Sequence, residues 1–525
     1  MMQLPLTRDA GTGVASCQGM LAKMLTAAIR GVDAYLVTVE VDARRAGLPG
    51  FNLVGLPSVR VSEGKVRVKA ALMNAGFVTE ARRVTVNLAP AELRKDSSSF
   101  DLPVALCILG AFEQLPASSL EGVMALGELA LDGSIRRVNG VLPAVAMAKT
   151  EGVSQVIVPE GSGGEAALVK DLDVRTARNI GEVVAHLVGG PALPRAERPP
   201  LETLALAQTE SDLAEVRGQL LPRRALEIAA AGGHSLLMVG PPGTGKSMLA
   251  RRLPGILPPL GFEEAMEASR IYSVAGLLNG QPLIRARPFR APHHTISQVG
   301  LVGGGPNLRP GELSLAHRGV LFLDELAEFP RATLETLRQP LEERRITITR
   351  ARGSVRLPAD VQLVAALNPC PCGHFGDPRR TCVCSPTQSR NYWARISGPL
   401  LDRIDLQVEV PAVPFGDLVS APAAEPSSQV AARVAAARRR QEERLGPEVG
   451  MNARMGPALA KSHCSLDADG TSFLSRAVER LGLSARAVER TLKVARTIAD
   501  LSGSSQVRRR DLQEAVAFRE VRRPD

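Results

Sequence analysis

Aromatic residues are scarce in this chain. Tryptophan, tyrosine and phenylalanine together make up 3% of 525 residues, with a single tryptophan and three tyrosines. Stacking of bases on an aromatic platform is therefore a poor candidate for any mode of nucleic-acid binding. Long apolar runs are missing as well. No stretch reaches the ~18 residues that a membrane-spanning helix needs, and no secretory signal is visible, so a cytoplasmic protein with no membrane partner is expected. Cysteine is sparse. Four of the seven cysteines are clustered, a distribution that fits reduced thiols or a metal site and argues against a disulfide scaffold.

What is present begins with charge. Lysine and arginine number 64 against 54 acidic residues, a formal net charge of +10. Such a balance suits a polyanionic partner, although a solvated basic surface gives the same figure. The length accommodates roughly three to four domains.

Residues 1–19 are weakly patterned and are expected to form a loose extension, or to precede a folded start near Met20. From 20 to 190 strands and helices alternate. Tyr35–Val41, Arg83–Leu88 and Gln155–Val158 read as strands, Val61–Ala75, Leu102–Leu115 and Leu142–Lys149 as helices, and Asp132-Gly133 as a hairpin turn. This is an α/β domain in its own right. A Gly/Pro-rich stretch from Gly189 to Pro200 opens a linker assigned to 191–208. A second α/β domain occupies 209–412. Beyond a Pro/Ala/Ser-rich run over 411–428, the segment 413–525 is helical in pattern, with Ala431–Leu445 and Leu481–Leu501 as its clearest helices.

The second domain carries the strongest motif. Gly240-Pro241-Pro242-Gly243-Thr244-Gly245-Lys246-Ser247 satisfies G-x-x-x-x-G-K-[ST], between an apolar strand at Ser235–Val239 and a helix opening at Met248–Leu253. The glycines let backbone amides wrap a phosphate chain at a helix N-terminus. Lys246 then reaches the β- and γ-phosphates of ATP, and Ser247 holds Mg²⁺. A second apolar strand, Gly319–Leu323, ends in Asp324 and Glu325. Parallel strands deliver residues to the sheet edge where the phosphates sit. Asp324 is thus the expected Mg²⁺ ligand and Glu325 the residue that orients and deprotonates the attacking water. A third strand, Val361–Leu367, ends in Asn368, placed to touch the γ-phosphate or the water; a loop-capping role is the plainer alternative. Arg403, in Gly398-Pro399-Leu400-Leu401-Asp402-Arg403-Ile404-Asp405, lies near the domain edge. Its plain reading is a surface ion pair with Asp402 or Asp405. Arg486 opens a C-terminal helix, with Arg490 one turn on as the competing choice for any role at that helix start.

The run Arg309-Pro310-Gly311-Glu312-Leu313-Ser314-Leu315-Ala316-His317-Arg318 before Asp324-Glu325, with Asn368-Pro369-Cys370-Pro371-Cys372-Gly373 after it, resembles the magnesium-chelatase-like AAA+ family. Within it the likeness is to the YifB/ComM branch, the competence-associated helicases, and it extends over nearly the whole chain from about Met20. The resemblance implies a homohexameric ring ATPase that moves single-stranded or branched DNA, promoting branch migration as incoming DNA is integrated. It also implies that Asn368 is a sensor, Arg403 a finger reaching into the neighbouring site, Arg486 a second sensor on a helical lid, and 209–412 an AAA+ phosphate-loop domain with a parallel sheet.

Two segments are candidates for holding DNA. The chain between Ser247 and Asp324 is long for one helix–strand step. Its excess includes Arg285–Gly305 with Arg287, Arg290, His293 and His294, an insert that faces the central channel in this clade. His293-His294 lacks a third ligand at suitable spacing and does not read as a metal site. The segment Arg344–Arg356 alternates as a β-hairpin with a basic, Gly-containing tip, and resembles the pre-sensor hairpin of minichromosome-maintenance helicases. Arg350 and Arg352 at its tip are the candidates for salt-sensitive, sequence-independent phosphate contacts.

Cys370-Pro371-Cys372 and Cys382-Val383-Cys384 could supply four thiolates to a structural Zn²⁺, with His374 as an alternative ligand. The C-x-C spacing is tighter than the usual C-x₂₋₄-C, and strain in the chelate is expected. In the first domain, Lys95-Asp96-Ser97-Ser98-Ser99-Phe100-Asp101-Leu102 resembles the proteolytic domain of Lon, with Ser99 where the nucleophile would lie. Leu142-Pro143-Ala144 occupies the place of the expected lysine base, and Lys149 comes too late on that helix. Without a base the serine has no route to activation, so a Lon-like fold without proteolysis is expected. A magnesium-chelatase motor subunit and an ATP-dependent protease are the competing readings.

Overall fold

The computed structural model describes residues 20–44, 48–79, 82–92, 94–200, 211–305, 308–350, 353–377, 379–413 and 424–521. The chain divides into two compact units, one built mainly from residues up to 199 and one mainly from 200 onward.

The first unit contains β1 (Met20–Arg30), β2 (Asp33–Arg44), β3 (Gly50–Val54), β4 (Arg83–Ala89), β5 (Val123–Ala125), the short β6 (Glu128–Leu129) and β7 (Ile135–Arg136), β8 (Gln155–Pro159) and β9 (Asp173–Ala177). Seven of them form one sheet in the order β3-β4-β2-β1-β5-β8-β9. Alternation decides which side faces in. Val37, Val39 and Val41 of β2, and Val84, Val86 and Leu88 of β4, are buried between more exposed neighbours. The helix Asp101–Ala111 is buried at every position and carries no polar stripe. It stops short of the expected Leu115 because the backbone turns left-handed at Glu113, φ 61°. β6 and β7 pair antiparallel around the expected Asp132-Gly133 turn, where Gly133 has φ 85°.

The second unit contains β10 (Leu236–Val239), β11 (Phe289–Arg290), β12 (Gly303–Gly304), β13 (Arg309–Pro310), β14 (Val320–Leu323), β15 (Arg345–Arg350), β16 (Gly353–Pro358), β17 (Gln362–Leu367) and β18 (Leu406–Glu409). Five of these make an all-parallel sheet in the order β11-β14-β17-β10-β18. Its strands are continuous apolar runs because both faces are covered. Leu236 and Met238 pack with Ala229, Val494 and Ile498, whereas Leu237 and Val239 pack with Leu321, Leu323 and Trp393. β12–β13 and β15–β16 are separate antiparallel pairs.

The C-terminal part is helical: Ser427–Val449, Pro457–His463, Ala468–Leu481, Ala485–Leu501 and Arg509–Ala517. The expected helix 481–501 is interrupted at its first turn. Gly482 (φ 60°) ends one helix, and Ser484 caps the next by accepting from the Ala487 amide. Arg496 is 1% exposed, a buried charge that depends on close pairing. It donates to Asp500, whose carboxylate also accepts from Arg444 and Asn452. Among the described residues no helix is long and apolar enough to cross a membrane.

Candidate nucleotide-hydrolysis site

The phosphate loop leaves the end of β10 under tight steric control. A Cβ at Gly240 would lie 2.2 Å from the Val410 carbonyl oxygen, so no larger residue fits there. Gly243 and Gly245 take φ values of 75° and 87°, the left-handed region where glycine is at ease. Thr244 is buried and donates to the Pro241 carbonyl at 2.9 Å. Gln219, which belongs to no motif in the chain, braces the loop by donating to the Thr244 carbonyl at 2.6 Å.

Lys246 opens the following helix with its ammonium turned back into the loop. It donates to the carbonyls of Gly240 (2.6 Å) and Pro241 (2.8 Å) and to Asn368 Oδ1 (3.1 Å). Burial pulls its pKa down to about 8, against the raising effect of the Asp324 and Glu325 charges. Ser247 donates to Asp324 Oδ2 at 2.5 Å, and the Glu325 amide to Asp324 Oδ1 at 3.0 Å. Two hard oxygen donors, side by side and next to the Lys246 ammonium, fit Mg²⁺. Sheet order explains the convergence. β17 lies between β14 and β10, so Asn368 emerges between the acidic pair and the phosphate loop.

Glu325 sits just past β14 with φ 51°, and His294 approaches its carboxylate to 3.3 Å. That contact joins residues 31 positions apart, and no local pattern signals it.

Arg403 stands at the other edge of the sheet, just before β18, whereas the phosphate loop comes after β10. Its side chain is 10% exposed. It donates to the Pro399 carbonyl at 2.7 Å and to Glu342, so the expected partners Asp402 and Asp405 are not the ones it takes. Its Nε has no partner among the described residues. A cavity at this edge has more basic than acidic lining: Arg287, Arg318, Arg344, Arg403, Arg438 and Arg454 face Glu342, Asp360 and Asp405. Desolvation and like charges lower the pKa of Arg344, and that of Arg438 to about 9. Arg490 donates to Asp405 (2.7 Å) and to the Arg403 carbonyl (2.6 Å), tying the helix Ala485–Leu501 to the sheet. Arg486 is exposed in the first turn of that helix.

The expected hairpin exists as β15–β16, with Ile346, Val355 and Leu357 buried on one face. Arg350 is its last strand residue before the tip; its side chain, and Arg352 altogether, lie outside the described residues. Of the basic residues in the insert, two are committed internally. Arg287 is bound by two carbonyls and Glu264, and Arg290 makes a two-pronged pair with Glu312.

The cysteine pairs converge. The sulfurs of Cys370, Cys372, Cys382 and Cys384 all lie within 4.8 Å of one another, three of the separations being 3.4, 3.6 and 3.6 Å. A tetrahedral ion with bonds of about 2.3 Å to sulfur needs about 3.8 Å between sulfurs, so the set fits Zn²⁺. The tight C-x-C spacing does not prevent this, because each pair supplies one side of the cluster. His374 faces Asp377 at 3.5 Å, and the sulfurs converge without it.

In the first unit Ser99 is buried. Lys149 points to Asp171 at 3.2 Å on the surface. Lys95 is fully buried and donates to the Pro90 carbonyl, with burial lowering its pKa.

Three family models match in sequence order. "Subunit ChlI of Mg-chelatase" covers residues 39–162, "Magnesium chelatase, subunit ChlI" residues 212–418, and "Magnesium chelatase, subunit ChlI C-terminal" residues 424–519. The competence protein ComM of Haemophilus influenzae is 46% identical over 504 residues, covering 95% of this chain and 97% of its own. The YifB proteins of Salmonella typhimurium and Escherichia coli are 45% and 44% identical, covering 96% and 95% of this chain and 98% and 97% of their own. With relatives this similar over nearly their full length, the chain belongs to the YifB/ComM family of magnesium-chelatase-like AAA+ proteins.

Proposed function

We propose that this chain is an ATP-driven DNA motor, a homohexameric ring that promotes branch migration while incoming DNA is integrated. The observation that carries the ATPase part is the convergence of Lys246, Ser247, Asp324 and Asn368 within hydrogen-bond distance, at one edge of a parallel sheet. In this reading Lys246 and the loop from Gly240 to Gly245 hold the β- and γ-phosphates. Ser247 and Asp324 carry Mg²⁺, which when bound neutralises charge on the phosphates. Glu325 orients the water and takes its proton, and Asn368 senses the γ-phosphate. Arg403 acts on the site of the adjacent subunit, a role supported by the excess of basic groups at its edge of the sheet. Arg486 contacts the γ-phosphate from the lid.

The DNA part rests on the hairpin carrying Arg350 and Arg352, and on the similarity to a protein named for competence. It is tested by DNA-stimulated ATPase and displacement of branched DNA. Arg350→Ala should retain DNA-independent hydrolysis and lose displacement. Lys246→Ala should lose both, with turnover down by about 10²-fold or more. Full displacement by Arg350→Ala would remove the hairpin from the mechanism.

Cys370, Cys372, Cys382 and Cys384 hold one structural Zn²⁺ in this reading. Protein purified without chelators should contain about one zinc per chain by elemental analysis, and Cys382→Ser/Cys384→Ser should lose it. Unchanged metal content in the double variant would refute the assignment.

A further inference from the structure

The cysteine loop begins where the nucleotide site ends. Asn368 follows β17 directly, and Cys370 comes two positions later. The stretch Leu367–Gly373 meets the phosphate loop three times. The Gly240 amide donates to the Leu367 carbonyl at 3.1 Å. Lys246 Nζ donates to Asn368 Oδ1, also at 3.1 Å. Gly373 then lies against the ring of Pro242, so close that a Cβ there would stand 2.7 Å from Pro242 Cδ and 3.2 Å from Cγ. Its φ of 82° and the bond from its amide to the Cys370 carbonyl (3.0 Å) turn the backbone onto that ring.

The sulfurs belong to the same turn. Cys370 is fully buried, and the Cys372 amide donates to Cys384 Sγ at 3.3 Å. The far end of the cysteine loop is tied down as well. Ser385, next to Cys384, caps the helix Pro386–Trp393. The Trp393 indole donates back to the Pro369 carbonyl at 2.9 Å. Residues 369–393 thus close a circuit whose short side, Cys370–Gly373, rests on the phosphate loop. An ion on the four sulfurs crosses that circuit in the middle and removes freedom from the nine residues between Cys372 and Cys382.

We propose that the cysteine loop positions the phosphate loop, and that Zn²⁺ on its sulfurs and nucleotide on Gly240–Ser247 strengthen each other's binding. The inference rests on the zinc and nucleotide assignments above. An ion that fixes Cys370 and Cys372 fixes Asn368 and Gly373 with them, and these are the groups that face Lys246 and Pro242. Without the ion Pro242 loses its backing. The phosphate loop then spends less time in the arrangement that matches a nucleotide, and apparent affinity falls with that fraction. Linkage makes the effect mutual: a nucleotide that steadies the phosphate loop also tightens the hold on zinc.

The test is an equilibrium competition for Zn²⁺ between the full chain and a chromogenic chelator, with and without ADP and Mg²⁺, after the zinc content has been measured. In wild type, ADP should tighten zinc binding by about five- to tenfold. Stripping the zinc should weaken ADP by the same factor, recovered when zinc is restored. Pro242→Ala removes the ring atoms that face Gly373 and leaves every sulfur in place. It should keep its zinc, yet ADP at concentrations that saturate the variant should no longer change zinc affinity. Equal zinc affinities in a zinc-loaded, ADP-binding wild type would overturn the coupling, as would a full wild-type response in Pro242→Ala. Wild type purified without zinc would instead defeat the metal assignment, and wild type that holds zinc but not ADP the nucleotide assignment; either result removes the coupling with it.

Discussion

Alanine in place of Arg403 is expected to lower ATP turnover by about 10³- to 10⁵-fold while leaving nucleotide affinity close to wild type, the pattern of a cation that acts on transition-state charge. In the proposed ring the effect is one exerted in trans. Arg403 precedes β18, the phosphate loop comes after β10, and these strands are parallel neighbours, so the two features occupy opposite edges of one sheet. In the proposed ring, an arginine there serves a nucleotide held by another copy. Because its side chain is nine-tenths buried and donates to Glu342, loss of activity by itself could reflect altered packing. Mixing separates the two explanations. Arg403→Ala and Glu325→Gln chains, each inactive alone, should regain activity together, since about a quarter of head-to-tail interfaces in a random mixture pair an intact base with an intact arginine. Mixtures as inactive as their parents would place Arg403 outside the reaction.

The second large effect concerns the base itself. Glu325→Gln should cut hydrolysis by about 10²- to 10⁴-fold, the usual contribution of a positioned proton acceptor, and leave ATP binding intact. The side chain is half exposed, and its structural contact is with His294, so the substitution should leave the melting temperature almost unmoved. Nucleotide should therefore be retained and turned over slowly, which equilibrium binding and single-turnover hydrolysis measure separately. Hydrolysis within tenfold of wild type would show that another group removes the proton.

Much of this site could be read from residue order. The phosphate loop is a continuous string, and Asp324 and Asn368 each end an apolar strand, so the parallel-sheet rule alone brings them to one edge. The position of Asn368 between the other two strand ends comes from a strand order that this family's sheet supplies. Long-range side-chain geometry escaped. The engagement of Glu325 by His294 depends on β11, a strand of two residues with no detectable periodicity. Arg287 and Arg290 carry the same charge in the sequence whether they face solvent or Glu264 and Glu312, and only the fold distinguishes the two. The convergence of the four sulfurs is likewise invisible to pair spacing, because it joins two C-x-C pairs separated in sequence. In the first unit β1, an eleven-residue strand, carries no clear alternation because Leu21 and Leu25 are apolar on its outer face while Thr26 is polar on its buried one.

If Lys246 holds the phosphates as proposed, its buried ammonium couples nucleotide capture to the proton concentration. With its pKa drawn down to about 8, a substantial share of nucleotide-free chains carries a neutral amine under mildly alkaline conditions. A triphosphate beside that nitrogen favours the charged form, so its arrival draws in a proton from the buffer. Above pH 8 the proton becomes a reactant, and apparent affinity for nucleotide declines by up to about tenfold for each further pH unit. Below that point the lysine is already charged, and the same loop takes up its ligand with no proton exchanged at this position.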